Sequence, residues 1–101
     1  MPFTVVNAVR GSKEDIPAVI MDVQRMGLDV FRRLPGFRQG RLLVSEDTTE
    51  AVLVLEWESR EHYMAYRHSE VGRRMVESAA RLHPQISFYE VIACYDAEPA
   101  T

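Results

Sequence analysis

The sequence is poor in the residues that usually announce a site. It holds one cysteine, Cys94, one tryptophan, Trp57, and one lysine, Lys13, in 101 residues. A lone cysteine closes no internal disulfide and offers no metal spacing, which suits a reducing compartment. No apolar run approaches the roughly 18 residues of a membrane span, and the N-terminus lacks a signal-peptide pattern. The glycines form no phosphate-cradling fingerprint after the first strand, so no flavin, nicotinamide or phosphate site is signalled. The three histidines, His62, His68 and His83, include no pair with three residues between them, so no zinc site is expected. Positive charge is also short. The net charge is −3, from 15 acids against 12 bases, and the bases alternate with acids along helical stretches. That is the mark of a solvated surface and excludes a basic stripe for nucleic acid. A cytoplasmic, soluble protein is the expectation.

What is present is ordinary globular material. Apolar residues make up 47% and charged residues 27%, enough for one core and one domain. That domain is expected over 1–96, with 97–101 as a short solvated tail.

"FTVVNAVR" (Phe3 to Arg10) alternates and is rich in β-branched residues, so it reads as a first strand. "GSK" breaks it, and Ser12 can cap a helix. Ile16, Val19, Val23, Met26, Val30 and Leu34 then recur every three or four residues, one stripe of a helix reaching Leu34. Pro17 is tolerable in its first turn, and "LPGF" ends it. "RQGRLLVSED" and "EAVLVLEW" read as a hairpin of strands two and three. Ser59 caps a following helix, with Glu61 at its positive end. Gly72 marks a kink or break, and "RRMVESAARL" continues as helix up to His83, since Pro84 follows. "ISFYEVIACY" reads as strand four.

The order β-α-β-β-α-β is the ferredoxin-like arrangement, an α+β fold with helices on one face of a four-stranded antiparallel sheet. The opposite face should then be polar, and it is not. In strand three Val52 and Val54 oppose Ala51, Leu53, Leu55 and Trp57. In strand four Ser87 and Tyr89 oppose Ile86 and Phe88. With no second helical layer, a second copy of the sheet is the simplest cover, so a homodimer is expected.

Asn7 shares a face with Phe3, Val5 and Val9, where an unpaired amide would cost about 1–3 kcal/mol. It must bond protein, water or a ligand. Trp57 ends strand three at an alternating core position and reads first as packing. Tyr63 and Tyr66 share a helix face, as core aromatics or as hydroxyl donors to a pocket. His62 lies four residues before Tyr66 and can touch it. His62 and His68 could each titrate near neutrality or simply sit in solvent.

"LPGF", then "EWESREHY" (Glu56 to Tyr63) and "HSEVG" (His68 to Gly72), resembles the antibiotic biosynthesis monooxygenase family over roughly Phe3 to Tyr95. The resemblance implies a dimeric α+β barrel with a pocket between each sheet and its own helices. It also implies cofactor-free oxygenation of a quinol- or anthrone-type aromatic by O2. On that basis the implied catalytic residues are Asn7, Tyr63 and His62, with Trp57, Tyr66, Leu53 and His68 at the substrate. One branch of the family degrades haem. It would need a helical Trp where Tyr66 stands and a ligating His where Met75 and Val76 stand, so only Asn7 of its three marks is met. The anthrone branch shares Trp57 and Tyr63 but has an Asn at Leu53 and a His near Leu43. Those departures keep a non-catalytic ligand-binding or accessory dimer as the alternative.

Overall fold

The computed structural model describes residues 2–80 and 83–99, without the side chains of 26–29, 78 and 79. Four strands, β1 (Phe3–Arg10), β2 (Phe37–Val44), β3 (Glu50–Trp57) and β4 (Gln85–Glu90), form one antiparallel sheet in the order β2-β3-β1-β4. The helices are α1 (Asp15–Asp29), α2 (Arg60–His68) and α3 (Glu70–Ala79), with a 3₁₀ turn at Phe31–Arg33. This is the expected ferredoxin-like α+β arrangement, with the second helix divided in two.

Local chemistry explains each boundary. The Ser12 hydroxyl accepts from Asp15 N at 3.1 Å, and Asp15 Oδ2 accepts from the same hydroxyl at 3.0 Å, a reciprocal cap. The long helix stops at Asp29 and tightens into the 3₁₀ turn before Leu34, earlier than the apolar stripe suggests. In the β2–β3 hairpin, Asp47 accepts from Thr49 Oγ1 at 2.7 Å and from Ser45 Oγ at 2.8 Å. These hydroxyls, Thr49's first, hold its carboxyl below the usual carboxylate range.

The division between α2 and α3 falls at Ser69, not at Gly72. Ser69 ends α2 by donating its N–H to Tyr66 O at 3.0 Å, and its hydroxyl then accepts from Gly72 N at 3.2 Å to cap α3. Gly72 sits inside the first turn of α3, where an added Cβ would lie 2.2 Å from Tyr66 O. It permits the two helices to meet at the corner. The end of the helix expected before Pro84 falls on Arg81 and Leu82, which lie outside the described residues.

Strand four is shorter than expected. β1 begins at Phe3, which pairs with Glu90; one further bond, Val91 N to Pro2 O at 3.3 Å, follows the ladder. Beyond it Ile92 and Tyr95 are 83% and 93% exposed. Residues 97–99 of the expected tail are exposed, and 100–101 lie outside the described residues.

Register fixes the two faces. Phe3, Val5, Asn7 and Val9 share the helix-covered face with Trp57, Leu55, Leu53 and Ala51 of β3 and with Phe88 and Ile86 of β4. The core lies there: Phe3, Val5, Phe31, Leu55, Trp57, Tyr63 and Tyr66 form one buried cluster. A second, of Val9, Ile16 and Ala51, fastens the start of α1. The open face carries Val6, Ala8, Val52 and Val54, half-buried, with Leu43 and Tyr89 exposed. No helix among the described residues is long and apolar enough to cross a membrane.

Candidate functional site

The two sequence stretches "LPGF" and "EWESREHY" meet in space. Gly36 adopts φ 77° and accepts a hydrogen bond from Glu58 N at 2.8 Å. A Cβ on Gly36 would lie 2.2 Å from Cγ of His62, so only glycine lets the imidazole lie against this turn. Ser59 caps α2, accepting from His62 N at 3.2 Å, and its hydroxyl bonds His62 Nδ1 at 2.7 Å. The turn, cap and imidazole lock α2 against the end of β3 and set the direction of its inner face.

That inner face carries Tyr63 and Tyr66, both buried. Their ring centroids are 6.2 Å apart; Tyr66 stacks on Trp57 at 5.4 Å, and Tyr63 meets it edge-on at 6.0 Å. Trp57 is fully buried, with Phe37 against it at 5.4 Å. Its Nε1 has no hydrogen-bond partner among the described residues, a cost of about 1–3 kcal/mol that the aromatic packing outweighs. Tyr66 is pushed up to about 12, by burial first and by its neighbour Tyr63 second, with Arg67 opposing. Burial raises Tyr63 as well, again opposed by the Arg67 guanidinium beside it.

Between this face and the sheet lies a cavity of about 110 Å³. Val19, Asp22 and Val23 of α1 form its roof, and Asn7, Leu53, Leu55 and Ile86 its floor. Tyr63, Tyr66 and Arg67 of α2, with Met75 and Val76 of α3, close one side. A second hollow of about 500 Å³ adjoins it beneath α1 toward β2, sharing Val23, Phe31, Leu42, Leu53 and Leu55. Together they reach the size that binds a polycyclic molecule, which the inner cavity alone does not. The cleft exists because α1 is fastened to the sheet near its start, by Ile16 and Ile20.

The structure brings four of the expected residues to this cleft: Asn7, Leu53, Tyr63 and Tyr66. Asn7 is half-buried, and its amide has no protein hydrogen bond among the described residues. Trp57 stands behind the tyrosines and outside the lining. His62 is turned toward Gly36 and Ser59 rather than Tyr66, and His68 is exposed at the end of α2. No histidine is among the residues lining the cleft. Strand two contributes Leu42 and not Leu43 to the inner cavity, because a bulge between Phe37 and Gln39 reverses the alternation; Leu43 borders only the adjoining hollow. Sequence reasoning missed Arg67. Its position four residues after Tyr63 on one helix face was the available signal.

A ferredoxin-like sheet roofed by helices over an aromatic-walled cleft defines the chain as an α+β protein with an internal cleft. Residues 2–78 match the family model for antibiotic biosynthesis monooxygenase, and the chain belongs to that family. Similar solved structures include the monooxygenase ActVA-Orf6 of Streptomyces coelicolor in complex with nanaomycin D. It is 17% identical with TM-score 0.81, over 96% of this chain and 92% of that one. Rv0793 of Mycobacterium tuberculosis is 17% identical with TM-score 0.80, over 95% and 100% of the two chains. SnoaB, a cofactor-independent oxygenase from Streptomyces nogalater, is 18% identical with TM-score 0.72, over 92% and 95%. No functionally curated protein matches the chain.

Proposed function

We propose that the protein is a cofactor-independent monooxygenase for an electron-rich phenol, quinol or anthrone. The observation that carries this reading is the cleft itself, apolar and aromatic over most of its lining, with Tyr63, Tyr66 and Asn7 among the residues that line it. Such a substrate is its own reductant. Its anion gives an electron to O2, and the pair recombines to form a C–O bond and a hydroperoxide. For an anthrone methylene, loss of water then leaves a carbonyl. One oxygen atom stays in the product, and the other departs as water with the two hydrogens of the oxidised carbon. The protein's tasks are to hold the ring, stabilise the anion and exclude bulk water. Tyr63 serves as the hydrogen-bonding and proton-relay group, Asn7 holds an oxygen, and Leu53 and Tyr66 pack the ring. Trp57 supports the tyrosines from behind, and His62 positions α2.

A second copy of the chain covers the open sheet face, where Val6, Val52, Val54, Leu43 and Tyr89 present apolar surface. The cofactor-free chemistry is tested by oxygen uptake of metal-free protein against a panel of quinols and anthrones. Turnover that falls at least about 10²-fold in Tyr63→Phe or Asn7→Ala is the expected result. A specific feature favours the second reading, a dimer that binds an aromatic without converting it: no histidine lines the cleft. Ligand binding without oxygen uptake would decide for that reading.

A further inference from the structure

The polar groups of the cleft are dominated by one kind. Arg67 has five N–H donors and no acceptor. Tyr63 and Tyr66 stay protonated, because burial raises both, so each can offer a hydroxyl hydrogen. The Asn7 amide can present its NH2 group. Arg67 lies beside Tyr63 and close enough to Tyr66 for its charge to act on both. It is half-buried and lines the cleft. Unlike Arg10, Arg38 and Arg74, it makes no ion pair with a described residue. The other lining groups offer little to oppose it. Among the described residues, Asp22 of α1 is the one carboxylate of the lining and is exposed; β3, β4 and α3 contribute only apolar side chains there.

We propose that Tyr63, Tyr66, Asn7 and Arg67 form an oxyanion site, which receives the ionised phenol or enol oxygen of the substrate, and that Arg67 rather than a base makes that oxygen ionise. The proposal rests on the reading of the cleft as an aromatic-binding site. No histidine lines the cleft to take the proton, so it leaves through the Tyr63 relay, and the anion must be stabilised where it forms. An opposite charge within about 4–6 Å lowers an acid's pKa by about 1–3 units, and hydrogen bonds donated to the anion lower it further. Burial works against this, and at Tyr66 burial wins. A ligand oxygen differs from Tyr66 in receiving the donors of both tyrosines as well as the cation.

The test uses 4-nitrophenol, whose phenol and phenolate absorb differently. Its pKa is read when bound to the full-length wild-type protein and to Arg67→Met and Arg67→Lys. The expected result is a bound pKa at least about one unit below the solution value, a roughly tenfold gain in phenolate. Arg67→Met should abolish that shift, and Arg67→Lys should restore part of it. A bound pKa at or above the solution value, or a shift that survives Arg67→Met, overturns the oxyanion site while leaving the cleft reading intact. Failure of 4-nitrophenol to bind at any pH overturns both.

Discussion

At Gly36 one hydrogen atom decides whether two distant stretches of sequence can pack. Its φ of 77° and the His62 ring, which an added Cβ would strike, both require glycine. Gly36→Ala should lose about 1–3 kcal/mol from the backbone alone, with a further loss from the contact. Urea unfolding of the single variant beside Gly36→Ala/His62→Ala should recover only the share of the contact loss due to the ring, since the β-carbon at 62 would still crowd the new methyl, and none of the backbone part. Tyr66 makes a different residue-scale prediction. Its folded value of about 12 lies above the ordinary 10 of an unfolded tyrosine. Its contribution to stability is therefore whole below pH 10 and is lost as pH climbs through 12. Thermal unfolding between those limits should show a decline that Tyr66→Phe flattens. Trp57, fully buried beneath both tyrosines, should cost about 3–5 kcal/mol on truncation to Ala. In the proposed account that loss reaches the cleft only through the tyrosines it supports.

Among the elements, the α2–α3 corner depends on Ser69, which closes one helix and opens the next. Ser69→Ala should destabilise the fold by about 1 kcal/mol, read as a shift in the urea midpoint. Most of this layer was legible in the sequence, since β1 and β3 begin and end where alternation and turn residues place them. Three features were not. Gly72 reads as a breaker, yet Ser69 carries the break, because a serine that both accepts and donates can end one helix and cap another. The bulge after Phe37 leaves no mark in the pattern of β2, yet it reverses which of Leu42 and Leu43 faces the helices. Strand four stops at Glu90 because its partner ends, a limit set by β1 and invisible within "ISFYEVIACY".

The whole molecule presents two apolar sheet faces, one roofed by its own helices and one open. If a second copy covers the open face, a charge at its centre should separate the pair. Val54→Asp is expected to sediment as a monomer at low micromolar concentration where wild type sediments as a dimer; a wild-type monomer contradicts the two-faced argument. The cleft was half legible at this scale. Asn7, Tyr63 and Tyr66 followed from face-sharing, whereas the histidines did not, since nothing in a helical spacing says that His62 bonds its own cap. If the chemistry occurs between the sheet and its helices, filling that space should stop it. Leu53, half-buried on the cleft floor, can be replaced by Trp, and oxygen uptake measured with a quinol or anthrone that wild type turns over. Uptake should be lost in Leu53→Trp with the circular dichroism of the wild type retained. Full turnover with the cleft filled would contradict it.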